Sequence, residues 1–398
     1  MDESLGAGQR DTQTLVAIIK PVTCIMRDTL KLVWSICLYV SICAAADSGR
    51  QNCSPPLWTA DVISELSWAR KLPSSSLTDS NRTGLTFVDE DTLLIYQIEV
   101  DTAELSSRQS PVISSSYKLQ MSVFDLVSGR MTASEKLPTW IHASSVQAAS
   151  GGALVRTGNI LRLYSKHLIK MQEAVLPPLG QDESDTIMVS ASRNTVLSNR
   201  NNGNYSHFDV LDGGNLKLMQ SWSEFPPLRR LYSISDTEIA ASDFNQEHIL
   251  IADFATSRWR VIAGKPSLQC VGLPTLVTNT TLVTSCRPFS YLSTEGTIIF
   301  QDSFGKNESL EQKAAVAQRG TAVAVSLNRR RGSDFWDTGR GLQIVARYVI
   351  VYNLALKKRS LTFELKPLPA NDLDYALSPD GSKLAILSDR HVTVCAVP

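Results

Sequence analysis

Most features that would announce a chemistry are missing from this 398-residue chain. It has no excess of either charge, with 39 basic against 39 acidic residues, so no global field draws nucleic acid or an anionic membrane. The five histidines, His142, His167, His207, His248 and His391, are scattered without a His-x-x-x-His spacing. Paired-Cys zinc spacing is also lacking, so the sequence predicts no metal site and no cofactor. No Gly-x-Ser-x-Gly elbow and no Gly-x-x-x-x-Gly-Lys phosphate loop occurs. The apolar run Leu32–Ala46 is about fifteen residues long, short of the roughly 20 that a membrane span needs. After the first fifty residues no long amphipathic helical stretch appears, which leaves an all-β composition.

What is present is a repeat. Seven times a short apolar strand ends in an aromatic or small residue, then a polar or acidic one, then a turn. Taking Phe124, Tyr164, Phe208, Ala252, Phe300, Tyr352 and Cys395 as anchors, the steps are 40, 44, 44, 48, 52 and 43 residues. A strand-built period in the forties is a propeller blade, a four-stranded meander running from an inner strand A to an outer strand D. Asp125, Asp209 and Asp253 recur at one blade position, which reads as turn capping.

The N-terminal region reads as targeting. Arg27 and Lys31 precede the apolar run, and Ala44-Ala45-Ala46 offers the small residues of a cleavage site. The expected division is an upstream extension over 1–25, a signal peptide over 26–46, a linker over 47–56 and a seven-bladed propeller over 57–398. The mature protein is then periplasmic or secreted, with no stable membrane span. Four cysteines remain after cleavage: Cys53, Cys270, Cys286 and Cys395. In an oxidising compartment an even set suggests bridges. Cys270 and Cys286 flank a hairpin with its turn near Thr278-Asn279-Thr280, which would place them on facing strands; two buried free thiols are the alternative. Cys53 and Cys395 are the leftover pair.

The last blade is the clearest. Asp374-Tyr375-Ala376-Leu377 reads as strand A, Ser378-Pro379-Asp380-Gly381-Ser382 as a tight turn, Lys383–Leu387 as strand B and His391–Val397 as strand C. Proline presets the first turn corner and glycine accepts the left-handed one. Ser-Pro-Asp-Gly-x-x-Leu-Ala resembles the turn of WD40-like and TolB-like propeller repeats. The resemblance covers about residues 57–398 in pattern and blade 7 in motif, and implies recognition across one face of the disc. The other blades are expected at Gly84–Pro138, Ser145–Pro177, Asp185–Glu224, Arg229–Pro266, Gln269–Leu310 and Lys313–Leu365. Blade 7 runs out of chain before its fourth strand, and Val62–Pro73 is expected to supply it, removing two open edges at once.

Two blades carry extra residues between strands B and C: about Glu99–Ser116 in blade 1 and Asn328–Leu342 in blade 6. B–C loops and D–A connections share one face of the disc, and long loops on a rigid scaffold are where binding tends to sit. The densest cluster is Arg329, Arg330 and Arg331 with Asp334, Trp336 and Arg340. Arginine forks suit carboxylate or phosphate, and tryptophan suits a binding hot spot. Trp140 and His142 join it from the blade 1–2 connection, Arg229 and Arg230 from the blade 3–4 connection. The function expected is a monomeric module that binds a protein or small-molecule partner. The alternative is a propeller enzyme, such as a lactone hydrolase, a lyase or a quinone-dependent dehydrogenase, with its site at the channel mouth.

Overall fold

Each repeat folds as an antiparallel meander, because its strands carry the burial that each depth in the disc demands. Strand B of blade 2, Gly152–Thr157, is buried along its whole length, whereas the outer strand Arg130–Thr139 of blade 1 alternates exposed and half-buried residues. The structure, a computed structural model, describes residues 55–61, 83–100, 117–139, 144–178, 184–201, 206–225, 230–242, 249–256, 258–262, 274–285, 288–331, 343–369, 373–389 and 391–398, all within the unit Gln51–Pro398. Among them are seven four-stranded sheets. Strands A to D of blade 1 are Thr83–Phe87, Thr92–Val100, Tyr117–Asp125 and Arg130–Thr139; those of blade 2 are Ser144–Ala149, Gly152–Thr157, Ile160–Ser165 and Lys170–Val175. Blade 3 has Ser184–Val189, Thr195–Asn201, Ser206–Asp212 and Leu218–Phe225; blade 4 has Arg230–Ile234, Glu238–Ser242, Ile249–Asp253 and Arg258–Val261. Blade 5 has Pro274–Thr278, Thr281–Thr284, Phe289–Ser293 and Ile298–Asp302; blade 6 has Glu308–Val316, Ala322–Arg331, Gln343–Asn353 and Lys358–Glu364. Blade 7 has Leu373–Leu377, Lys383–Ser388 and His391–Ala396, with Trp58–Asp61 as its fourth strand.

The core is divided into seven apolar clusters, one at each junction between neighbouring blades. Met121 and Val155 join blades 1 and 2, Leu163 and Val196 blades 2 and 3, and Phe208 and Phe254 blades 3 and 4. Ile251 and Leu282 join blades 4 and 5, Phe289 and Tyr352 blades 5 and 6, and Val351 and Tyr375 blades 6 and 7. Phe124 against Leu387 and Val394 then returns blade 7 to blade 1. The ring is closed.

Side chains also handle the inner edges, where strand A would otherwise leave backbone groups unpaired. Gln147 of blade 2 donates to the Ile187 carbonyl (3.0 Å) and accepts from Val189 N–H (3.1 Å) on blade 3. Ser233 of blade 4 does the same to Pro274 and Leu276 of blade 5, and Asp374 of blade 7 accepts from Leu85 N–H of blade 1 at 2.8 Å. Further out, strand-C tyrosines reach acids on the preceding blade: Tyr164 bonds Glu135, and Tyr352 bonds Asp302 at 2.7 Å while stacking on Phe289. Burial and the Glu135 carboxylate push the Tyr164 phenol up to about 12.

Three expectations change. The fourth strand of blade 7 is Trp58–Asp61, paired Trp58 to Val394 through Asp61 to His391; residues 62–73, named for that role, lie outside the described residues. Trp58 packs on Phe124 (5.4 Å between ring centres) and against the apolar cluster between blades 7 and 1. Second, Phe300 stands on strand D of blade 5, not strand C, and Leu310 belongs to strand A of blade 6. That inner strand is interrupted by a register shift between Leu310 and Ala314, so it reads in sequence as two separate runs. Third, Asp125 and Asp253 do cap their C–D turns, each accepting two backbone N–H groups, but in blade 3 the cap is Asp212, which accepts from Gly214 and Asn215. Asp209 instead bonds side chains.

Candidate functional site

Arg329, Arg330 and Arg331 stand at the end of strand B of blade 6 rather than in a loop, opposite Ala346, Ile344 and Gln343. A strand fixes their direction, and two of the nearby cations are already engaged. The Arg329 fork donates to Glu308 Oε1 (3.1 and 2.9 Å) and lies over the Tyr348 ring at 5.6 Å. Burial pushes the Glu308 carboxyl up, but the Gly305 N–H and Arg329 outweigh it and hold the group below its ordinary value. Glu308 in turn raises Arg329. Arg347 is held the same way, donating to Asn328 Oδ1 (2.9 Å) and pairing with Glu311 (3.4 Å). Arg331 is exposed, and Arg330 is half-buried with its Nε lacking a partner. The first of the three arginines is thus held by Glu308, and they do not form a free triplet.

The remaining expected site residues are not brought together within the described part of the chain. Asp334, Trp336, Arg340, Trp140, His142 and Arg229 lie outside the described residues, as do Cys53, Cys270 and Cys286. Arg230 begins strand A of blade 4, opposite Ser242. Cys395 is fully buried and disulfide-bonded. The chain between Val100 and Tyr117, and that between Arg331 and Gln343, does join strands B and C of blades 1 and 6, which flank blade 7.

One cluster in blade 3 has the residue types of a hydrolase triad. Ser221 Oγ lies 2.7 Å from Asp209 Oδ1 and 3.3 Å from His207 Nε2, and that same Nε2 is 3.0 Å from Asp209 Oδ1. In a working triad the carboxylate holds Nδ1 and leaves Nε2 free to take the serine proton. Here one nitrogen faces both partners and the hydroxyl donates to the carboxylate, with Arg200 at 3.8 Å on the other oxygen. The arrangement is a hydrogen-bond and ion-pair network across strands B, C and D of blade 3. Among the described residues no group of three His, Cys, Asp or Glu could hold a metal ion, and no helix is long and apolar enough to cross a membrane.

The opposite face, where the A–B turns meet, is laced together by charge, and sequence reasoning passed over it. Asp236 of blade 4 accepts from Ser190, Ser192, Asn194 and Thr195 of blade 3. Lys383 of blade 7 donates to the Glu90 carbonyl (2.9 Å) and pairs with Asp91 of blade 1. Lys166 of blade 2 pairs with Asp89 of blade 1 at 3.3 Å. Little in the sequence pointed to it: of the blade 7 turn Ser378–Ser382, the segment Ser190–Asn194 repeats only the first serine.

No family model matches the chain, and no curated protein matches it. Solved structures do. A chain in the crystal structure of the mitotic checkpoint complex aligns with a TM-score of 0.50 at 11% identity, covering 100% of this chain and 99% of that one. The C-terminal WD40 domain of Sif2 aligns at TM-score 0.43 and 12% identity (80% and 96% covered), and BamB from Moraxella catarrhalis at 0.40 and 12% (79% and 84% covered). At such identities the likeness is one of fold: this chain is a seven-bladed β-propeller.

Proposed function

We propose that the protein is an exported binding module that recognises a protein or small-molecule partner through the face bearing its B–C and D–A connections. The observation that carries this reading is the closed order of blades 6, 7 and 1, which sets the two longest B–C connections on either side of blade 7. Arg330 and Arg331 stand at the root of one of them and suit an acidic or phosphorylated group on the partner. On the other face, Asp236, Lys383, Asp89 and Asp91 are spent on blade-to-blade bonds. Export is supported by the apolar run before Ala46 and by the disulfide at Cys395, since such bonds persist in oxidising compartments.

Proximity labelling of the mature protein tests the proposal, comparing wild type with a deletion of residues 332–342, with Arg331→Ala and with Val127→Ala as a control on the other face. The expected result is loss of one specific partner in the deletion, its weakening in R331A and no change in the control. An identical partner set for the deletion would move the site off this sector.

A further inference from the structure

The A–B turn of blade 3 shares its frame with those of blades 6 and 7. In each, the first residue's N–H bonds the carbonyl five places on: Ser190 to Thr195 (2.9 Å), Ala317 to Ala322 (3.0 Å) and Ser378 to Lys383 (2.9 Å). The fourth residue then donates to the first one's carbonyl: Arg193 to Ser190, Gly320 to Ala317 and Gly381 to Ser378, at 2.9, 2.8 and 2.9 Å. That fourth residue takes a positive φ, 66° at Gly320 and 80° at Gly381. Glycine is the residue for such a position, because a Cβ there crowds the backbone. Blade 3 places an arginine in it, at φ 68°.

A side chain held against its local preference points to a compensating role elsewhere. Arg193 is buried, with 7% of its surface exposed. Its Nη1 donates to the Val88 carbonyl at 2.6 Å and its Nη2 to the Phe87 carbonyl at 2.8 Å, both on blade 1. Burial lowers the guanidinium to about 10, while Glu90 and Asp89 oppose that shift. Next to it, the Ser192 carbonyl accepts from Gln318 Nε2 of blade 6 at 2.8 Å. Blade 2 separates blades 1 and 3, and blades 3 and 6 stand on opposite sides of the ring, so these bonds run inside it. Arg319 extends the chain of contacts, through its N–H to the Pro379 carbonyl (3.2 Å) and its guanidinium to Glu90 (3.6 Å).

We infer that the Ser190–Asn194 turn is a lock, in which Arg193 and the Ser192 carbonyl tie blades 1 and 6 to blade 3 across the A–B mouth of the central channel. It stands whether or not the partner-binding reading does, since it concerns the other face.

Arg193→Gly tests it by sign. If the residue mattered only within its own turn, glycine would suit the positive φ as it does in blades 6 and 7, and stability would hold or rise. The lock predicts the opposite: a thermal midpoint several degrees lower. It also predicts about tenfold faster amide hydrogen exchange in Phe87–Asp91, with the outer strands unchanged. An equal or higher midpoint, with faster exchange confined to Ser190–Asn194, would overturn it. Gln318→Ala carries the test if R193G does not fold: exchange should rise in Ser190–Asn194 and Ala317–Thr321, and a wild-type exchange pattern in both would refute the link across the ring.

Discussion

Gly152→Ala is expected to destabilise the protein by roughly 3 kcal/mol, because nothing near that position can yield cheaply. Gly152 is buried at the start of strand B of blade 2, between Ala149 on strand A and Ser165 on strand C. A Cβ there would lie 2.7 Å from the carbonyl carbon of Tyr164, and closer still to its oxygen. Both are backbone atoms, so strand C must move. Moving it displaces the Tyr164 ring from the cluster it shares with Met121 and Val123 of blade 1, and its hydroxyl from Glu135. The effect should therefore register in a thermal melt as a fall on the order of 5 °C. Hydrogen exchange should rise on both sides of the blade 1–2 junction. Gly151→Ala, one residue earlier, is a contrasting case: it has open space for a Cβ and suffers only from its φ of 71°. A melt in which the two variants are equally mild would mean that strands B and C of blade 2 are spaced more widely than described.

Trp58→Ala carries the second large effect, roughly 2–3 kcal/mol, a core-sized loss at a strand only four residues long. The ring is the main apolar anchor of that strand. It rests on Phe124 and the apolar cluster at the blade 7–1 junction, and a Cβ on Gly129 would stand 3.5 Å from the indole Nε1, an ordinary contact distance. Thr59, its exposed neighbour, is the control, and Thr59→Ala should change stability by less than about 0.5 kcal/mol. Without the anchor the strand frays and bares the edge of His391–Ala396, a template for pairing with other chains. W58A should then also aggregate more on heating than T59A. Equal denaturation midpoints for the two variants would show that this strand adds little to closure.

The fold was legible where local chemistry and global role agree. Ser378-Pro379-Asp380-Gly381-Ser382 folds as its residues dictate: Gly381 takes the left-handed corner, and Asp380 accepts from Ser382 N–H and Ser378 Oγ at 2.9 and 2.6 Å. The blade period survives even where the anchors slip, because each junction needs a buried cluster of its own. Legibility failed where a tertiary demand overrode a local one. Ser190–Asn194 hid a repeat turn, sharing only its first serine with Ser378–Ser382 and placing Arg193 where a glycine belongs. The register shift after Leu310 split one inner strand into two runs, moving a blade boundary. Trp58–Asp61 is too short to show a period, and its identity as a strand comes entirely from the edge it covers. In the candidate site, the Arg329–Arg331 run reads as loose charge until the strand pairing reveals that Glu308 already holds the first of the three.

Closure of the ring depends on Trp58–Asp61 pairing with His391–Ala396, and the disulfide at Cys395 gives that latch a chemical reporter. Leu57 N–H donates to the Val394 carbonyl at 2.8 Å, which brings the chain just after Cys53 alongside the strand that carries Cys395. Peptide mapping of the unreduced protein is the direct test. The account predicts a single linked peptide joining Cys53 to Cys395; a bond from Cys395 to Cys270 or Cys286, or a free thiol at Cys395, would contradict it.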